Sequence, residues 1–125
     1  MPCRRAGRLA LLRGLVLPLM LPALAATAAA QGAKLQDIAR ELRVCGGLDG
    51  DPPEARIRSC SAIIDSLAAT QRARAIALNN RGNAYNAQGD HRRAIEDYDA
   101  SVARDPDYAS AFNNRGVAHQ KLGDH

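Results

Sequence analysis

The chain writes one stretch of itself almost twice. Residues 75–91 laid over residues 109–125, at a spacing of 34, agree at ten of seventeen positions, among them Asn79/Asn113, Asn80/Asn114, Arg81/Arg115, Gly82/Gly116 and Gly89/Gly123. A fixed period of this length in an alanine-rich, helix-forming sequence leaves few folds open. It points to an all-α array of stacked helical hairpins, in which each unit buries its apolar face only against its neighbour. Arrays of this kind mostly present surfaces to other proteins.

The first thirty residues read as an address. Arg4, Arg5, Arg8 and Arg13 make a basic lead, residues 15–26 are apolar, and Ala28-Ala29-Ala30 before Gln31 suits signal cleavage. Pro18 and Pro22 interrupt the apolar run, so a spanning anchor is disfavoured and no stable membrane insertion is expected after cleavage. The expected route is Sec-type export to a periplasmic or secreted location. Without the leader the charge changes character: all 13 acidic residues and 13 of the 17 Lys and Arg lie after Ala30, so the overall +4 belongs to the leader. Near-zero mature charge and few aromatics argue against nucleic acid, which needs clustered cations and stacking platforms.

Export also frames the cysteines. Cys3 leaves with the leader, and Cys45 and Cys60 remain as an even pair in an oxidising compartment, where a disulfide is expected. Residues 31–44 form an amphipathic pattern, with Leu35, Ile38, Ala39 and Leu42 on one side and Gly46-Gly47 as the stop. Asp51-Pro52-Pro53-Glu54 starts the next helix, with Asp51 as the expected cap and Ile57, Cys60, Ile64 and Leu67 as its stripe. A Cys45–Cys60 bond would clamp the two helices and close the N-terminal end of the array. Thr70, Asp90 and Asp107 are expected to cap the helices that follow, and Asp105-Pro106 to stop the fourth.

Leu78, Gly82, Tyr85, Gly89, Ala94, Tyr98 and Pro106 resemble the characteristic residues of the tetratricopeptide repeat (TPR), and Phe112, Gly116 and Gly123 restart the pattern. The resemblance implies a right-handed α-solenoid of TPR-like helical hairpins with about five helices in the mature chain. The organisation expected is a signal peptide (1–30), a capping helix and degenerate repeat helix (31–69), and a TPR region (70–125). That region divides into one full repeat (75–108) and a truncated second repeat (109–125). Arg81 and Arg115 stand where many repeats have Leu; their stems are expected to pack while the guanidinium reaches water. Stopping at His125 leaves the apolar side of the last helix without a covering partner in the repeat pattern.

The family resemblance also implies a groove lined by the first helix of each hairpin. Asn80 and Asn114 are expected there, with Asn83 and Asn86 a turn further on and Val117 and Gln120 as their counterparts in the next repeat. An amide offers a donor and an acceptor, which suits the alternating groups of an extended main chain. No catalytic constellation is legible: a Ser elbow, a Gly-rich phosphate loop and a Cys/His dyad are all missing. Glu96, Asp97 and Asp99 read as a solvated helix with local ion pairs, and His91 and His125 as helix-start residues rather than metal ligands. The expected function is a protein-binding scaffold without enzyme activity, metal or cofactor. The alternative is a structural or self-associating piece of a longer solenoid, pairing as a homo-oligomer through the open face of its last helix.

Overall fold

A computed structural model describes residues 20–123, with side chains from residue 23 onward. The basic lead of the expected leader, and Asp124 and His125, lie outside the described residues. Five α-helices follow in order: α1 (Met20–Gly46), α2 (Pro53–Asp65), α3 (Gln71–Ala87), α4 (His91–Arg104) and α5 (Ala109–Leu122). No strand occurs among the described residues. The architecture is the all-α helical array that the repeat period predicts, and none of these helices is long and apolar enough to cross a membrane.

Two units divide the chain between Gln36 and Asp37. The described part of the first is helical, belongs to α1, and exposes its side chains, Leu24 and Leu35 included. The second unit begins with the last turns of α1. There Ile38 and Leu42 are 51% and 53% exposed, against 2% for Cys45, so burial is confined to the last turn rather than running along the expected stripe. The reason is covalent. Cys45 and Cys60 form a disulfide with Cα atoms 4.8 Å apart, which brings the end of α1 onto the middle of α2. Gly47, at φ 69°, ends the helix as expected.

Local chemistry explains most helix boundaries, with two corrections. Thr70 Oγ1 accepts from the Ala73 N–H at 3.1 Å, and Asp90 Oδ1 from the Arg93 N–H at 3.0 Å, so both expected caps are formed. Asp51 does not cap α2: the cap position is Pro52, already extended at ψ 152°, with Pro53 in the first turn. Asp107 does not cap α5 either. That helix starts after Tyr108, and the Asp107 N–H is turned back to the Asp105 carboxylate.

α2 is shorter than its apolar pattern suggests. It stops at Asp65 because Arg74 reaches from α3 and donates to the Ile64 and Ser66 carbonyls, satisfying the open end. Leu67 therefore falls beyond the helix and is 99% exposed, not on a buried stripe. Leu78, Gly82, Ala94 and Tyr98 are buried, while Pro106, Phe112 and Gly116 are exposed and Tyr85 is half-buried. At Gly82 an added Cβ would stand 2.7 Å from the Tyr98 ring and 3.1 Å from the Ala94 carbonyl, so only glycine lets α3 and α4 approach this closely. Ser101 adds a buried bond from α4 to the Ala75 carbonyl of α3 at 2.7 Å.

Candidate functional site

α3 is the element that most features of interest touch. One residue step on a helix turns a side chain by about 100°, so neighbouring asparagines on α3 face different partners. Asn79 is 3% exposed and Asn83 half-buried. Their carbonyl oxygens both accept from the Asn114 amide of α5, at 2.9 and 3.1 Å. Asn83 accepts a second bond from the Tyr98 hydroxyl at 2.8 Å, and the Asn79 amide donates to the Tyr108 hydroxyl at 3.5 Å. Three amides and two phenols thus tie α3, α4 and α5 together. Burial, with the charge of Asp97 nearby, pushes the Tyr98 hydroxyl up to about 12, so it stays a donor throughout the neutral range.

The remaining residues expected in the groove separate. Asn80 lies on the other side of α3, in the wall of a cavity of about 150 Å³ lined otherwise by Leu42, Cys45, Ile63, Ala73, Ile76 and Ala77. Asn86 Oδ1 meets His91 Nδ1 at 2.5 Å, which fixes the turn between α3 and α4. Val117 is 39% exposed on α5, and Asn113 and Gln120 are exposed beside it. So the structure brings Asn83 and Asn114 together, with Val117 exposed three residues after Asn114 on α5, and holds Asn80 and Asn86 apart from that pair. Asn79 and the two tyrosine hydroxyls belong to the network without having been singled out for it.

Arg81 departs from expectation in a different way. Its guanidinium does not reach into water: Nε and Nη2 donate to the two Asp97 oxygens at 2.8 Å each, and Nη1 donates to Ser61 at 2.9 Å. The side chains are 23% and 8% exposed. A planar fork matches a carboxylate with two parallel bonds, and the hydrogen bonding to Asp97 raises the Arg81 pKa further. Asp97 is therefore a buried partner across the hairpin, not a member of a solvated ladder along α4. Asp99 also looks across rather than along, meeting Arg115 of α5 at 2.8 Å. Arg93 follows the local rule: it binds Asp90, holds that carboxyl below its ordinary range, and lies 4.5 Å over the Tyr85 ring.

Among the described residues no group of three or more His, Cys, Asp or Glu side chains could hold a metal ion. An open pocket of about 390 Å³ beside the α3–α4 turn is lined by Gln88, Gly89, Asp90, His91, Arg92 and Leu122, and its one carboxylate, Asp90, caps α4. No curated protein and no solved structure matches the chain. Residues 82–123, from the middle of α3 to the end of α5, match the family model described as TPR repeat, which supports reading the chain as a TPR protein.

Proposed function

We propose that this chain is an exported protein-interaction module that holds an extended segment of a partner along the amide side of α3 and α5. TPR repeats generally mediate protein–protein interaction, and the observation that carries the finer reading is the amide row itself. Asn83 spends its carbonyl oxygen and Asn114 its amide nitrogen on the network. The Asn83 amide and the Asn114 carbonyl are left for a partner's main chain, with Asn113 and Val117 exposed beside them. Because the network fixes these side chains before binding, little rotamer entropy is lost when a segment docks. The Cys45–Cys60 bond supports export, since disulfides persist in oxidising compartments.

The test is a selection of unstructured random peptides against the oxidised chain, followed by affinity measurement on single variants. Asn113→Ala and Val117→Asp alter the exposed rim without touching the inter-helix bonds, so the helical spectrum should be unchanged. Selected peptides should lose at least about tenfold in affinity on either variant, a loss of about 1.4 kcal/mol. A selection that yields no binder, or binders indifferent to both changes, removes the groove reading. Self-association, the alternative reading, is favoured by the exposed Phe112 and Val117 of α5. It predicts concentration-dependent dimerisation in sedimentation, and a monomer at high concentration removes it.

A further inference from the structure

Asn80 and Asn114 hold the same place in successive units, and their surroundings differ. Asn114 spends its amide nitrogen on the Asn79 and Asn83 carbonyl oxygens, at 2.9 and 3.1 Å. One period earlier, the residues at those two acceptor places are Cys45 and Asp49. Cys45 is committed to Cys60, and Asp49 lies in the turn after α1, exposed and 3.8 Å from Arg43. α1 itself stops at Gly46, the counterpart of Asn80, whereas α3 runs on to Ala87. The Asn80 amide is therefore left without an acceptor: among the described residues nothing bonds its side chain. In place of an amide network there is a hollow of about 150 Å³, walled by the last turns of α1, by Ile63 of α2 and by α3. Its walls all belong to the second unit and to helices that follow one another in the chain, so it is not an open end of the stack.

We propose that this hollow binds a compact neutral molecule with an apolar body and one carbonyl oxygen. The walls set the body: Asn80 is the one polar side chain among the lining residues, beside Leu42, Cys45, Ile63, Ile76 and two alanines. No wall residue carries a charge, so an ionic ligand would shed its water for no partner. The volume sets the size at about one six-membered ring. The repeat sets the polar group, because at the equivalent place the amide nitrogen donates to carbonyl oxygens and here that acceptor is lacking. A single amide fixes a single oxygen, whereas an extended main chain needs groups repeated along its length. The occupant is thus a free small molecule and not a partner's segment. The disulfide holds the site together, since Cys45 is one wall and Leu42 lies one turn before it on the same helix. The hollow uses neither Asn83 nor Asn114 and is independent of segment binding on that side.

The probe is cyclohexanone, titrated past millimolar concentration into the ¹⁵N-labelled oxidised chain. Saturable shifts are expected at the last turns of α1, at Ile63 and over residues 73–80, with a dissociation constant in the millimolar range that suits so few atoms. Asn80→Ala removes the donor and should weaken binding about fivefold, the effect of one net hydrogen bond. Ala73→Phe sets a ring in the hollow and should abolish binding. Both variants should keep the helical spectrum of the parent; if Ala73→Phe does not fold, Asn80→Ala decides alone. No saturable shift, shifts spread over all five helices, or binding indifferent to Asn80→Ala overturns the proposal. So does a peptide from the segment selection that displaces cyclohexanone and is itself weakened by Asn80→Ala, because the hollow then belongs to a partner's side chain.

Discussion

Replacing Arg81 by leucine, the residue many repeats carry at that position, should weaken this chain, and the geometry says by how much. Arg81 makes three bonds at 2.8, 2.8 and 2.9 Å, two of them to a carboxylate whose side chain is 8% exposed. Leucine would fill the space of the stem and leave Asp97 charged, nearly buried and unpartnered. Removing one member of a buried pair costs about 3–5 kcal/mol, mostly from the stranded charge. Removing both members is close to neutral when apolar groups of similar volume replace them. Urea unfolding followed by helical circular dichroism should therefore give a midpoint lowered by about 2 M for Arg81→Leu, taking a slope typical of a small domain. Asp97→Leu should cost a comparable amount, and the double variant should recover most of the loss, with a coupling of about 2 kcal/mol or more. Arg115→Leu is the control: its partner Asp99 is 56% exposed, so the loss should stay below about 1 kcal/mol. Equal, small and additive losses across the three variants would refute the reasoning, because the Arg81 fork would then be no more than a surface pair.

Three further outcomes follow from single contacts. Gly82→Ala should destabilise by roughly 1–3 kcal/mol, since its methyl would stand 2.7 Å from the Tyr98 ring, whereas Gly116→Ala should be neutral or stabilise by up to about 1 kcal/mol through helix propensity. Thermal midpoints of the two variants should move in opposite directions from the parent, and a shared direction would contradict the packing described. Reducing Cys45–Cys60, which spans 15 positions, should cost about 3 kcal/mol in the chain-entropy model and lower the thermal midpoint, read by comparing melts with and without reductant. Tyr98 is held neutral by burial, with its pKa raised from 10.0 to about 12. Its contribution is complete below pH 10.0 and is lost as the pH rises through about 12, so stability should fall across that window in the parent and less steeply in Tyr98→Phe.

The parts of this fold that were legible in the sequence are those whose cause is local. Thr70 and Asp90 cap their helices because a side-chain oxygen three residues before an N–H needs no distant partner. The glycines that end α1, α3 and α5 are read the same way, and all three sit at positive φ. Asp51 and Asp107 were misleading because a prior constraint acts at each place: Pro52 already holds the extended conformation, and Asp105 claims the Asp107 N–H. Leu67 was misleading because an arginine from the next helix, not a residue of α2, decides where α2 ends.

The candidate site was less legible, because it depends on which neighbour each face meets. Asn79 and Asn80 are indistinguishable by period, and Asn80 was the one expected in the groove. Yet Asn79 enters the inter-helix network, while Asn80 faces the cavity toward Cys45 and Ile63. Asp97 and Asp99 likewise sit two residues apart on one charged helix. One is buried under Arg81 and the other is half in water beside Arg115. The same limit applies to the repeat. Gly82 and Gly116 occupy equivalent places, and their environments are opposite because α4 covers the first and no described helix covers the second. A repeated letter fixes a surface's shape, and the element laid against it decides whether that surface is core or contact site. Among the described residues the two cases stand side by side: α4 lies over the pattern on α3, and on α5 the arginine, glycine and aromatic ring recur with no described helix over them.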